Sequence, residues 1–183
     1  MTDTAASSPT PPLPPTPTRR LFTALWPDDD TRARFTQWRS ALGWPAAARP
    51  ISPAKLHLTL HFIGAWPEGR LEELKAALPP LRRPFVLHLE MLQAWKGGLV
   101  VLTPRSVPAQ LEQLFAEQAL ALRRLGATLE DRPYRPHLSL ARDCRLLPSA
   151  PRQIDLAWNV QRVDLVESRP DGAYQTLASA PGP

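Results

Sequence analysis

The chain has 183 residues, 43% of them apolar, and carries a net charge of +5 at neutral pH. That is enough material for one domain with a substantial core, and the basic balance favours polyanionic over cationic partners. No run approaches the ~20 apolar residues of a membrane span, the first residues lack the basic start and apolar run of a secretory signal, and Cys144, the single cysteine, excludes an internal disulfide or a multi-cysteine zinc site. The expectation is a soluble protein of a reducing, cytoplasmic setting. Most of the positive charge is arginine, since Lys55, Lys75 and Lys96 are the only lysines. Phosphate binding and plain compositional bias explain that excess equally well.

Residues 1–18 hold Pro9, Pro11, Pro12, Pro14, Pro15 and Pro17 among small polar residues. Such a segment cannot bury enough surface to offset its chain entropy and reads as a disordered tail. A strand is expected over Arg20–Trp26, closed by Pro27. Asp28, Asp29 and Asp30 then supply the N-cap and acidic first turn of a helix, whose buried stripe is expected to be Ala33, Phe35, Trp38 and Leu42, with Gly43 as its stop. A strand through His57 ends at Gly64. Pro67-Glu68 opens a second helix carrying Leu71, Leu74 and Leu78, stopped by Pro79-Pro80, and Phe85–Leu89 reads as a further strand. The second half repeats the order: a strand over Leu99–Leu102, a helix from about Pro108 carrying Leu111, Leu114, Phe115, Leu122 and Leu125 and ended by Gly126, then a strand through His137. Ile154–Trp158 and Val160–Val166 read as closing strands, with a turn near Pro170-Asp171-Gly172 before a last strand over Tyr174–Leu177.

The most informative feature is a repeat. His57-Leu58-Thr59-Leu60 and His137-Leu138-Ser139-Leu140 both read His, apolar, hydroxyl, apolar, eighty residues apart. Side chains of a strand alternate between faces, so each segment presents an imidazole and a hydroxyl forward and two leucines to a core. Strand, helix and motif strand occur twice at that same offset, which predicts two lobes related by an approximate internal two-fold. If the lobes bring the motif strands together, two imidazoles and two hydroxyls converge on one cleft. Imidazoles of pKa near 6.5 can donate and accept protons around neutrality, and hydroxyls one pleat away can hold phosphate oxygens. Packing alone gives no reason to repeat such a motif.

The other candidates stay open at this point. His61 forms His-x-x-x-His with His57, but on a strand that spacing is ~13 Å, too long for two zinc–nitrogen bonds of ~2 Å; no metal is expected. By alternation His61 shares the His57 face, where it lines the cleft or lies on the surface. His88, between Leu87 and Leu89, reads as a solvated strand residue. Arg142, five residues after His137, falls by strict alternation on the leucine face. Tyr134 and Arg135 offer a stacking ring and a charge at the cleft mouth, or are surface loop residues. Phe22 stacks a base or belongs to the core. No Gly-rich phosphate loop or dinucleotide fingerprint is present, so nothing supports nucleotide-dependent phosphoryl transfer.

The paired motifs, with Pro136 before and Ala141-Arg142 after the second, resemble those of the 2H phosphoesterases, in particular the RNA 2′,3′-cyclic phosphodiesterase branch, also called 2′-5′ RNA ligases. Arg20–Leu25 resembles that branch's opening strand, Leu56–Gly64 its first motif strand and Val163–Ser168 its closing strand, so the resemblance spans about residues 19–178. It implies an α/β (α+β) fold of two lobes with largely antiparallel sheets facing a central, metal-free cleft and helices outside, in a single bilobal domain over 19–180. It implies that RNA 2′,3′-cyclic phosphate ends are opened to 2′-phosphomonoesters without a cofactor, and that 2′-5′ ligation is a further activity to test. His57 and His137 become the catalytic pair and Thr59 and Ser139 the phosphate ligands. Arg142 matches the arginine that ends the family's second motif, against the alternation argument. Phe22, Tyr134 and Arg135 are carried as further substrate contacts, and a monomer is expected. Ser139 stands where threonine is commoner, and the proline-rich tail lies outside the family pattern. The rival from another class is a non-catalytic RNA- or nucleotide-binding module of the same fold; keeping both histidines and both hydroxyls argues against it, because binding needs no matched acid and base.

Overall fold

The computed structural model describes residues 16–144, 146–149 and 154–182. Of the expected tail, residues 1–15 lie outside that range, and the chain is already engaged before residue 19. The Pro17 carbonyl accepts a hydrogen bond from the Glu68 N–H at 2.9 Å, and strand β1 starts at Thr18.

In chain order the elements are β1 (Thr18–Leu25), α1 (Asp29–Ser40), β2 (Arg49–Pro50), β3 (Leu58–Pro67), α2 (Leu71–Ala77), β4 (Phe85–Leu89), β5 (Met91–Trp95), β6 (Leu99–Thr103), α3 (Ala109–Arg124), β7 (Leu138–Arg142), β8 (Leu156–Val160), β9 (Arg162–Ser168) and β10 (Tyr174–Pro181). Among the described residues they form two four-stranded sheets, β10-β9-β1-β3 and β2-β7-β6-β5, and a β4-β8 ribbon. The strand pairs are antiparallel. This is the mixed, largely antiparallel architecture expected. Each sheet receives one motif strand, β3 or β7, beside the strand that opens its half, β1 or β6. The backs of both motif strands enter one core: Leu58 and Leu60 join Leu138 and Leu140, together with Leu25, Leu102, Phe35, Leu111 and Trp158. Behind the first sheet a second cluster joins Leu21, Ile63 and Trp66 to Leu74 of α2 and Leu122 of α3. At about 1.5–3 kcal/mol for each large apolar side chain taken out of water, this shared core sets the spacing of the two motif strands.

Local signals act where expected. Asp28 caps α1, its side chain accepting from the Thr31 N–H at 2.7 Å, and that bond holds its carboxyl below the usual range. The buried face of α1 differs from expectation. Leu42 is buried and Trp38 packs half-buried on the core as expected, but Ala33 is exposed, and Thr31 and Arg39 join buried Phe35 in the stripe. Helical spacing i, i+4 joins these three, and Arg39 is tolerated inside because its guanidinium donates to the Ile51 carbonyl. Two further expectations need correction. Gly64 does not end β3; it adopts φ +79° at a bulge against Leu21 and Phe22, and the strand continues to Pro67. The hairpin strand β5 is an addition to the elements expected from sequence.

The internal two-fold extends to a defect in each sheet. In the first, Ala24 pairs with Thr59 but Thr23 pairs with His61, so Leu60 is an extra residue. In the second, Val101 pairs with Ser139 but Val100 pairs with Ala141, so Leu140 is extra. A bulge of this kind twists the strand and shifts its faces by one residue. Each displaced backbone group finds a partner. The His61 N–H donates to the hydroxyl of buried Thr23 at 3.2 Å, and the Leu140 carbonyl accepts from the Ile51 N–H at 2.8 Å, with the Arg39 guanidinium at 3.5 Å.

Candidate active site

His57 and His137 precede β3 and β7 by one residue and are held in the same way. The His57 Nδ1 lies 2.7 Å from the Lys55 carbonyl, and the His137 Nδ1 lies 2.8 Å from the Arg135 carbonyl. A carbonyl oxygen can only accept, so Nδ1 carries the proton in both rings and Nε2 of each neutral imidazole is a free base. The His57 Nε2 accepts from the Thr59 hydroxyl at 3.1 Å. Two imidazoles thus share one tautomer, each set by the carbonyl two residues earlier.

Their surroundings differ. The His57 ring stacks on Trp26 at 4.7 Å and 12°, with Phe22 at 5.3 Å and the edge of Tyr174 at 5.5 Å. Lys55 places its ammonium 5.4 Å from the Tyr174 ring centre. The His137 ring packs on Trp95 at 4.5 Å, and Arg135 lays its guanidinium over the same indole, also at 4.5 Å. Burial lowers the pKa of both histidines by disfavouring the charged ring. For His57 the hydrogen bond to Lys55 opposes this and a proton on His137 adds to it; for His137 the bond to Arg135 opposes it and the charges of Arg132 and Arg135 add to it. The His57 ring therefore senses a charge on His137.

Ser139, half-buried, faces forward in register with Val101. The bulge at Leu140 resolves the position of Arg142. Ala141 turns to the buried side, and exposed Arg142 returns to the Ser139 face. Strict alternation puts it on the leucine face; that expectation fails because one residue more than the partner strand has is accommodated between Ser139 and Ala141.

The same defect corrects His61. It pairs with Thr23 on the back of the first sheet, is 5% exposed, stacks on Phe115 at 4.1 Å and donates from Nε2 to the Phe115 carbonyl at 2.8 Å. It is a core residue rather than a cleft or surface one. Tyr134 lies on the other side of Phe115 at 3.9 Å and 13°, its hydroxyl 3.5 Å from the Thr59 carbonyl. Its ring supports β3 from within instead of standing free at the mouth. Phe22 is 2% exposed inside the aromatic cluster and is not open to a base. His88 is exposed and bonded to Asp155 at 2.8 Å. Among the described residues no group of three or more His, Cys, Asp or Glu is placed to hold a metal ion, and no helix is long and apolar enough to cross a membrane.

Trp26, Trp95 and Tyr174, which wall the two imidazoles, are not singled out by the sequence. Their contacts join the residue after β1, and strands β5 and β10, to the residues just before the motif strands, separations at which a single sequence carries no signal.

Comparison with known proteins adds a family. Residues 25–102 match the model of the LigT-like phosphoesterases. An RNA 2′,3′-cyclic phosphodiesterase of Escherichia coli (strain K12) is 33% identical over 127 residues, 68% of this chain and 72% of that protein. One from Thermus thermophilus is 30% identical over 182 residues, 86% of this chain and 87% of that protein. The crystal structure of E. coli LigT complexed with 3′-AMP superposes with a TM-score of 0.79 at 27% identity, covering 91% of this chain and 99% of that one.

Proposed function

This chain belongs to the LigT-like phosphoesterase family, and from that membership and its paired imidazoles we propose that it is an RNA 2′,3′-cyclic phosphodiesterase that works by two-histidine acid–base catalysis. The observation that carries the mechanism is the shared tautomer, with both Nδ1–H groups tied to backbone carbonyls and both Nε2 atoms left to handle a proton.

In the reaction a water oxygen attacks phosphorus and the bond from phosphorus to the ribose 3′ oxygen breaks, leaving a 2′-phosphomonoester and a 3′-hydroxyl. His137 takes the proton from the attacking water at its Nε2. His57, protonated at Nε2, delivers a proton to the departing 3′ oxygen. Bond formation and cleavage thus leave the net proton count unchanged; turnover ends with His137 protonated and His57 neutral, and proton exchange with solvent restores the starting states. Thr59 turns its hydroxyl from His57 to the phosphate, and Ser139 and Arg142 complete a set of donors for the charge that grows on the non-bridging oxygens, a contribution that is commonly the largest in such sites. The carbonyl latches keep both rings in orientation throughout, so no reorganisation is required as the proton moves. The nucleotide class is supported by the 3′-AMP held in the E. coli relative. The substrate is a 2′,3′-cyclic phosphate at an RNA or nucleotide end, the acting unit is the bilobal domain as a monomer in the cytoplasm, and neither metal nor cofactor takes part.

The test is incubation of the purified protein, with chelator present, with 2′,3′-cyclic AMP and with an oligonucleotide ending in a cyclic phosphate. Formation of 2′-AMP and of a 2′-phosphate end is expected. No product, 3′-AMP as the product, or turnover abolished by chelator and restored by a divalent ion would each reject the reading.

A further inference from the structure

Arg39 is 6% exposed, and among the described residues it pairs with no carboxylate. Burial alone acts on its guanidinium, lowering its pKa. A buried cation without a counter-ion is costly, and an apolar side chain would fill the same space without that cost. What Arg39 touches gives the reason for it. Its Nη1 donates to the Ile51 carbonyl and lies 3.5 Å from the Leu140 carbonyl. The Ile51 N–H donates to that same Leu140 carbonyl at 2.8 Å. The Ile51 backbone is thus pinned between Arg39 of α1 and the bulge of β7, and Leu140 is the residue by which β7 exceeds its partner strand.

That bulge lies on a thinly covered edge. On one side β7 is held by β6; on the other it meets only the two residues of β2, Arg49 opposite Arg142 and Pro50 opposite Ala141. Proline has no N–H to give to a ladder. In the first lobe the neighbouring strand steadies the bulge itself, through the hydroxyl of Thr23. The residue at that place in the second sheet is Val100, which has no hydroxyl to offer. Support for the second bulge therefore comes from the opposite edge, through Ile51 and the guanidinium behind it.

Strand side chains alternate with a period of two, so losing the extra residue would turn everything after it to the other face. Arg142 would then point with the leucines, away from Ser139. We propose that Arg39 is a positioning residue of the active site: by fixing Ile51 against the Leu140 carbonyl it keeps the bulge in β7, and so keeps Arg142 beside Ser139 and the substrate phosphate. Arg39 itself touches no substrate. The inference rests on the phosphodiesterase reading above in one respect, the role given there to Arg142.

The experiment is a double-mutant cycle on the full chain: Arg39→Met, Arg142→Ala and the two together, with kcat/KM for 2′,3′-cyclic AMP as the readout. Arg142→Ala should lower the value by roughly 10–100-fold, the worth of a hydrogen bond to a charged oxygen. Arg39→Met should lower it by a comparable factor, and the double variant should lie within about twofold of Arg142→Ala, because the second change removes what the first has already misplaced. Arg39→Lys keeps a cation and one donor for the Ile51 carbonyl and should recover part of the loss; where Arg39→Met does not fold, Arg39→Lys carries the same cycle. Amide hydrogen exchange supplies a readout that general destabilisation would not reproduce. Arg39→Met should speed exchange at Leu140, Ala141 and Arg142 and leave Leu60, His61 and Phe62 in the first bulge as they are. Losses that multiply in the double variant, an Arg142→Ala variant as active as the parent chain, or exchange that rises equally in both bulges would overturn the proposal. Binding of 2′-AMP, followed by calorimetry, repeats the cycle without turnover. A parent chain that hydrolyses nothing yet shows the same non-additivity in binding would refute the phosphodiesterase reading and leave the positioning role standing; hydrolysis with multiplying losses would do the reverse.

Discussion

Replacing His57 with alanine removes two things that can be measured separately. One is Nε2, the atom assigned to proton transfer; the loss of one positioned acid or base lowers turnover by ~10²–10⁴-fold. The other is a ring in face contact with Trp26 and edge contact with Tyr174. With Phe22 at 5.3 Å as a third neighbour, three aromatic contacts at ~0.5–1.5 kcal/mol each amount to about 1.5–4.5 kcal/mol of stability, and for a domain of this size each kcal/mol moves Tm by roughly 2–4 °C. His137 packs on one ring, Trp95, so its replacement should cost about a third as much stability for a comparable loss of rate. His57→Asn keeps a donor near the Lys55 carbonyl but has no Nε2, so part of the stability should return while activity stays low. The double alanine variant should be little slower than the poorer single one, because groups that act as a unit are not additive. The assays are steady-state hydrolysis of 2′,3′-cyclic AMP and thermal denaturation followed by circular dichroism. A folded single variant that retains hydrolysis within about tenfold of the parent chain would refute the two-histidine mechanism and favour a binding module.

Further outcomes follow from neighbouring groups. Thr59→Ala and Ser139→Ala should each lower kcat/KM by roughly 10–100-fold, the worth of a hydrogen bond to a charged oxygen, with the fold intact by circular dichroism; an unchanged value would remove that hydroxyl from the site. Burial lowers both His57 and His137, and in the proposed mechanism one is neutral while the other is protonated, so the maximum of kcat/KM against pH should lie on the acid side of ~6.5. Arg135→Ala relieves a charge that lowers His137 and should move the ascending limb, that of the base, to higher pH; movement of the descending limb would instead make His137 the acid. Stability should fall as pH drops. His57, His61 and His137 all have folded-state pKa values below the unfolded one, so the unfolded chain binds more protons once pH passes below ~6.5, and stability present above that value is progressively lost. His61→Gln should flatten the decline of Tm between neutral pH and pH ~5.5; an unchanged slope would show that His61 does not contribute.

The sequence by itself determined what depends on neighbours along the chain. The cap at Asp28, the helical spacing of Leu71, Leu74 and Leu78, the alternation around His57 and His137 and the order of elements in each half are local properties, and each was legible. So was the core role of Leu58, Leu60, Leu138 and Leu140, because alternation holds up to the bulge. The tertiary structure decided what depends on a partner strand or a distant ring. A bulge is a count of residues relative to another strand, so no reading of β3 or β7 alone could return Arg142 to the Ser139 face or send His61 into the core. Arg39 reads as a surface residue until the Ile51 carbonyl is brought to it. The walls of the imidazoles come from Trp26, Trp95 and Tyr174, which are far apart in the chain and converge only when the sheets assemble. The chemistry of the candidate site was written in two short motifs; its tautomers and its lowered pKa values arise from burial and backbone geometry, which exist only in the folded protein.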